Sequence, residues 1–167
     1  MRLLSHHVLT TALLATVFSA QAAVISDFAA DFSATTNVSG NWQYGSSATN
    51  DSAFILSQGN SSYGNNNGAG AEVKAWNPVG TFWPTVALNT SNNLVGFGAS
   101  NVIQLQAQQG LLHPGAAGDF AVVRLTVANA INAQLQVAFE GIDLFSTTTD
   151  VHVNINGINA FGGLINS

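Results

Sequence analysis

The sequence VHVNINGINAF, residues Val151–Phe161, decides the fold class of this chain. Apolar side chains alternate with His and Asn from Val151 to Ile155, which predicts a strand with one buried and one solvated face. Asn156-Gly157 then supplies two residues that tolerate positive φ, as a two-residue hairpin turn requires. The stretch therefore predicts a β-hairpin whose second strand begins at Ile158.

The same two-residue period continues upstream of this hairpin. In Ala133–Glu140 and Phe120–Val127 apolar side chains recur at alternate positions, so each stretch is expected to be a strand. From Ala23 onward no segment has a convincing helical period. The expected fold class is therefore all-β, an antiparallel β sandwich similar to a jelly roll. Further strands are predicted at Asp31–Ala34, Asn41–Gly45, Ala53–Ser57, Val73–Trp76, Thr85–Leu88 and Val102–Ala107.

The alternation also predicts which side chains form the core, since a shift of one residue would turn every apolar side chain toward water. The stretch Gln58–Gly70 is rich in Asn, Gly and Ser and is expected to be a surface loop. The predicted core residues are Leu125, Val127, Leu135, Val137, Phe139, Val151, Val153 and Ile155.

The N-terminal segment predicts export. One positive charge at Arg2 precedes the apolar stretch Val8–Phe18, and small residues follow up to Ala22. The apolar stretch is too short for a bilayer core, which needs about twenty residues. We expect a signal peptide over residues 1–22 and a single sandwich domain over 23–167, with no membrane-spanning segment in the mature chain. The expected location is secreted, either extracellular or at the cell surface.

The composition excludes several classes of partner. The chain of 167 residues has three Lys and Arg residues against eight Asp and Glu residues, and a net charge of −5. Nucleic-acid binding is not expected, because no set of basic side chains is available to neutralise phosphates. The chain contains no cysteine, so disulfides and thiolate zinc sites are excluded.

The aromatic residues are the candidate ligand-binding groups. Sugar rings and other flat ligands dock on exposed aromatic faces, although tryptophan in a sandwich is more often buried in the core. Trp83 is expected to be the most exposed, because Pro84 and loop residues surround it. The candidate binding residues are Trp83, Trp76, Trp42 and Tyr44, with Phe82 beside them.

No catalytic residues are predicted. A glycosidase needs two carboxylates in one groove, and no predicted strand carries paired acids at alternating positions. A Ser-His-Asp triad is unsupported, since His113 is expected in a turn and His152 at a sheet surface. No cofactor is expected; a structural calcium ion held by Glu140, Asp143 and Asp150 is a weaker alternative.

Several motifs together resemble a secreted bacterial module. They are DFSATTN, Gly40–Gly45, Leu112–Gly115, Val122–Thr126 and Thr148–Val153 followed by Asn156-Gly157, and they extend roughly from Asp31 to Asn166. Modules of this kind occur in the PEP-CTERM, exosortase-sorted surface proteins of biofilm-forming bacteria and in exported planctomycete proteins. The resemblance implies a jelly-roll-like sandwich, placement at the cell surface and a role related to carbohydrate or matrix. It carries over no catalytic residues.

The expected function is an exported, non-catalytic binding module of the cell surface or extracellular matrix, with polysaccharide as its partner. A structural envelope protein that self-associates without a small ligand is the alternative, and a polysaccharide-degrading enzyme is less favoured. The segment Ile158–Ser167 carries no charge or proline that would block an exposed strand edge. We therefore expect one or more C-terminal strands to be missing from this chain.

Overall fold

The computed structural model describes residues 24–64 and 72–167. The predicted signal peptide, its cleavage point and residues 65–70 of the predicted Gln58–Gly70 loop lie outside these ranges. The described residues confirm the all-β prediction, since several antiparallel sheets account for nearly all regular structure and the architecture is sandwich-like. None of their helices is long and apolar enough to cross a bilayer.

The described elements are short, as their turn-rich sequence predicts. The helical elements are α1 (Phe28–Asp31) and a single 3-10 turn at Ala99–Asn101. The strands are β1 (Val38–Ser39), β2 (Trp42–Ser47), β3 (Ile55–Leu56), β4 (Gly59–Tyr63), β5 (Val73–Asn77), β6 (Thr85–Asn89), β7 (Val95–Phe97), β8 (Ile103–Leu105), β9 (Gly110–His113), β10 (Phe120–Leu125), β11 (Thr148–Ile155) and β12 (Ile158–Asn166).

Two antiparallel sheets form the sandwich. The first sheet has the order β1-β2-β10, with β3 paired to β2, and the second has the order β4-β5-β6-β9. Between them, Trp42 and Tyr44 from the first sheet pack with Trp76 and Val86 from the second as one buried cluster. Helix α1 adds Phe28 to the edge of that cluster. Burial of these aromatic faces holds the sheets together.

The opposite face of the second sheet carries another buried cluster. Val73 and Ala87 of the sheet pack there with Val95 and Leu105 from a two-stranded ribbon formed by β7 and β8. Asn89 fixes the ribbon, because its buried amide donates to the carbonyl oxygens of residues 93, 105 and 106. A buried amide with partners of this kind replaces the hydrogen bonds that it loses to water.

The C-terminal hairpin is confirmed. Strands β11 and β12 pair antiparallel, and the turn residues Asn156 and Gly157 have φ values of 53° and 77°. Both lie in the left-handed region that this type of turn requires. Val153 lies opposite Phe161 in the register, so their side chains share one face of the hairpin. Both strands extend further than the sequence indicates, to Thr148 and Asn166.

The predicted core of the C-terminal third is wrong. Segment 127–141 contains no strand, although Ala133–Glu140 has the clearest alternation in the chain. Its Leu135 and Val137 are 54% and 52% exposed, and Leu125, Val127 and Ile155 are exposed as well. Phe139, Val151 and Val153 are only half-buried. Alternation shows that two faces differ, but a face becomes a core only when another layer covers it.

Other strand predictions divide between confirmed and wrong. Predicted strands coincide with β2, β5, β6 and β10. Two more coincide with β3 and β8, although the observed strands are shorter than the predicted ones. Asp31–Ala34 is not a strand, because Asp27 caps helix α1 by accepting a hydrogen bond from the amide of Ala30. The prediction of a loop over Gln58–Gly70 is wrong where β4 lies inside it. Strand β4 is an edge strand that exposes Asn60 and Ser62, so its sequence lacks the apolar alternation by which a strand is predicted.

Candidate functional site

Three of the four candidate binding residues lie in the core, so their prediction as a binding surface is wrong. Trp42 is 8% exposed, Trp76 is 5% exposed and Tyr44 is fully buried. The indole N–H of Trp76 donates to the carbonyl oxygen of Ser33 at 2.7 Å. Burial raises the pKa of the Tyr44 hydroxyl to about 12, although the nearby backbone of Ser33 acts to lower this pKa. These side chains hold the two sheets together.

Two phenylalanines near the start of the described chain account for the burial of Trp42 and Tyr44. Phe28 makes edge-on contacts with Trp42 and Tyr44 at centroid distances of 5.9 and 6.0 Å. Phe32 lies 4.9 Å from Tyr44. Helix α1 and the residue after it therefore cover the edge of the sandwich, and the aromatic rings that β2 presents there are closed off from ligands.

Trp83 is placed differently, as its neighbours in sequence indicate. It is half-buried, and its ring stacks on the imidazole of His113 with a centroid distance of 3.7 Å and an interplanar angle of 21°. Phe82 beside it is 62% exposed. We call Phe82, Trp83 and His113 the aromatic platform. Within the platform Phe82 is exposed, and Trp83 and His113 are half-buried.

Pairing of β6 with β9 assembles the aromatic platform. Thr85 lies directly opposite His113 in the register, so Trp83, two residues earlier, is carried across to the histidine ring. The prediction that His113 lies in a turn is wrong, because His113 is the last residue of β9. Nothing in the local sequence indicates the contact with Trp83, because the two residues are brought together only by the sheet.

Hydrogen bonds hold the segment that presents the platform. The hydroxyl of Thr85 donates to the carbonyl oxygen of Phe82 at 2.7 Å, and the hydroxyl of Thr81 donates to that of Trp83 at 3.2 Å. The amide of Asn77 donates to the carbonyl oxygen of Thr81. Phe82 also lies 6.4 Å from the ring of Tyr63 on β4. A platform held this way loses little conformational entropy when a ligand binds.

The carboxylate of Asp31 is a second polar feature near the edge of the sandwich. It accepts hydrogen bonds from the amide of Asp27 and the hydroxyl of Ser26, both at 2.9 Å, and from the indole of Trp42 at 3.1 Å. These donors, with the Asp27 amide foremost, lower the pKa of Asp31 below its ordinary value of 3.8. The carboxylate anchors helix α1 to the first sheet.

A lowered pKa makes Asp31 a source of pH-dependent stability. Its contribution is complete above the ordinary value of 3.8 and is lost as the pH falls through the lower value of the folded state. We expect the thermal midpoint of the unchanged protein to fall more steeply in that acid range than the midpoint of Asp31→Asn. Melting curves across the range measure the difference; Asp51→Asn, in the turn before β3, is the matched control. Parallel curves for the protein and Asp31→Asn would contradict the assignment.

The acids and histidine suggested for other sites have individual partners. His152 is at the sheet surface, as expected, and its ring nitrogens contact Asp150 at 2.8 Å and Asn159 at 2.9 Å. Asp143 accepts from the amide of Phe145 at 2.9 Å, and Glu140 from the side chain of Gln109. Within ranges 24–64 and 72–167, no three His, Asp or Glu side chains are grouped as a metal site would need.

Two cavities lie away from the aromatic platform. A polar depression of about 520 Å³ lies beside Asp31, with Ser26, Ser39 and Asn41 in its wall. An apolar groove of about 470 Å³ lies between segment 135–139 and the C-terminal hairpin. The platform residues line neither of these cavities, and a platform of this kind suits a ligand that lies along it more than one that fills a pocket.

Comparisons with known proteins do not assign the chain to a family. No protein-family model matches it, and neither the curated proteins nor the solved structures searched contain a significant match.

Proposed function

We propose that this protein is an exported, non-catalytic binding module of the cell surface or extracellular matrix, and that it binds polysaccharide through the aromatic platform. The observation that carries the proposal is the exposed ring of Phe82 beside the half-buried Trp83, whose ring stacks on His113. The apolar face of a sugar ring packs well on such a surface, and the ring hydroxyls remain free to bond polar neighbours.

Two further features support a polysaccharide as the partner. The chain carries a net charge of −5 with three basic residues, so an anionic polymer is disfavoured and a neutral one is not repelled. Thr81 lies in the segment that supports the platform, and its exposed side chain brings a hydroxyl group near the platform's edge. Groups of this kind give orientation to a ligand whose main contact is apolar.

Retention on glycans tests the proposal. The purified protein is passed over insoluble cellulose, chitin and xylan, and is run in affinity gels that contain soluble glucans and mannans. We expect retention on at least one neutral glycan, and about tenfold weaker retention for Trp83→Ala, which corresponds to about 1.4 kcal/mol of lost aromatic contact. Binding should also change the tryptophan fluorescence. Trp83 is the most exposed of the three tryptophans, so a ligand on the platform would contact its ring, whereas Trp42 and Trp76 are buried.

Matched variants separate binding from folding. Phe82→Ala removes a more exposed platform ring and should weaken retention without lowering the melting temperature. Phe145→Ala removes a ring that is 67% exposed on another segment and should leave retention unchanged. No retention on any of the glycans, or equal retention for Trp83→Ala and Phe145→Ala, would refute the proposal.

A further inference from the structure

The outer edge of β12 is an unprotected strand edge. Strand β12 covers Ile158–Asn166 and pairs with β11 on one side, and in the described part of the chain no strand pairs with its other side. Natural sheets protect such edges with charged side chains, proline or a very short strand. The segment Ile158–Ser167 contains no charged side chain and no proline, and β12 is the longest strand described.

One face of the hairpin is apolar and borders the apolar groove. Val153, Ile155, Phe161 and Ile165 line this groove from the hairpin side, and segment 135–139 lines it from the other. Phe161 stacks almost parallel to Phe139 at a centroid distance of 6.4 Å. Apart from that contact the face is open, since Ile155 and Phe161 remain about half exposed.

The segment opposite the hairpin is also unpaired. Among the described residues, no backbone group from 127 to 141 bonds to another backbone group. Alternating apolar side chains in this segment therefore border the groove without belonging to a sheet. An uncovered apolar region of this extent marks an association surface in a soluble protein.

We propose that a second copy of this chain occupies the free edge of β12, through antiparallel pairing of the two β12 edges across a two-fold axis. Each edge presents the same backbone donors and acceptors, so two of them are complementary to one another. Because Ile158–Ser167 carries no charged side chain, the copies meet there without repulsion despite the net charge of −5. A two-fold contact closes at the dimer, whereas a head-to-tail contact would continue into fibres.

The two-fold arrangement also places the apolar faces of the two hairpins side by side. An axis perpendicular to the joined four-stranded sheet keeps the apolar faces of both hairpins on one side, where they form a continuous surface. The large apolar residues exposed on this side of the hairpin and on the segment opposite it are Leu135, Val137, Ile155, Ile158 and Phe161, whereas Leu164 pairs with Asp150 on the other face.

Sedimentation of the purified protein over a wide concentration range tests the dimer. We expect the weight-average mass to rise from that of the monomer to twice that value and then to level off. In Ile158→Lys/Leu164→Lys, lysines replace two side chains of β12 that are 73% and 67% exposed. This variant should remain monomeric throughout, because antiparallel pairing would bring the lysines of both copies into one short sheet.

Charge reversal identifies the partner as the same strand of a second copy. Ile158→Glu/Leu164→Glu alone should also be monomeric, and an equimolar mixture of the lysine and glutamate variants should recover the dimer mass. Val38→Lys/Leu94→Lys adds the same charge at exposed positions outside the hairpin and should still dimerise. Melting curves at low concentration establish that each variant is folded.

Three results would overturn the inference. They are a protein that is monomeric at every concentration, a lysine variant that dimerises as the unchanged protein does, and a mixture that fails to recover the dimer. The first would leave the β12 edge to a different chain or segment. None of them depends on glycan binding, so the dimer and the proposed function are tested separately.

Discussion

Replacing Trp76 by alanine is expected to lower the free energy of unfolding by about 3–5 kcal/mol, the range for truncating a large buried aromatic side chain. Trp76 is 5% exposed and packs with Trp42, Tyr44 and Val86 between the two sheets. Its removal opens a cavity at the centre of the sandwich and leaves the carbonyl oxygen of Ser33 without its indole donor. Chemical denaturation followed by circular dichroism measures the loss.

The control for this prediction lies in the segment whose burial the sequence predicts wrongly. Val137→Ala removes apolar atoms at a position that is 52% exposed, so it should cost at most about 1 kcal/mol. The alternation of Ala133–Glu140 would instead place Val137 in a core, where its truncation would be far more costly. A cost for Val137→Ala as large as the cost for Trp76→Ala would show that segment 127–141 is packed in solution.

Replacing Gly45 by alanine is expected to destabilise the first sheet by about 1–3 kcal/mol, as overpacking does in a filled interior. A Cβ atom on Gly45 would overlap the carbonyl oxygen of Ile55 and would lie 2.7 Å from the ring of Phe54. The ring cannot move away freely, because the guanidinium of Arg124 lies 4.0 Å from its centroid on the same sheet. Strand β3 must therefore separate from β2 to accommodate the methyl group.

Gly163→Ala on β12 is the matched control for Gly45→Ala. A Cβ atom there meets only the ring of Phe161, at an ordinary contact distance of 3.6 Å. Its effect should be within about 0.5 kcal/mol of zero or slightly stabilising, because alanine restricts the unfolded chain more than glycine does. Thermal and chemical denaturation of both variants compare the two sites. Equal stability of the two variants would contradict the close packing at Gly45.

The aromatic residues show how far a site can be predicted from the sequence. Trp83 could be singled out, because Pro84 and polar loop residues follow and precede it, and the structure places it half-exposed. Trp42, Tyr44 and Trp76 could not be distinguished from Trp83 as core residues, because an isolated aromatic residue has the same neighbouring sequence pattern in a core and on a binding surface. Their burial depends on Phe28, Phe32 and the facing sheet, which are distant in sequence.

By itself, the sequence determined the class of secondary structure and the local turns. The two-residue period requires strands, and Asn156-Gly157 requires a tight hairpin, because both follow from backbone geometry within a few residues. The tertiary structure alone decided which apolar faces became core and that His113 meets Trp83. Burial is a property of two layers in contact, so Ala133–Glu140 has the pattern of a core strand and yet remains exposed where no described layer covers it.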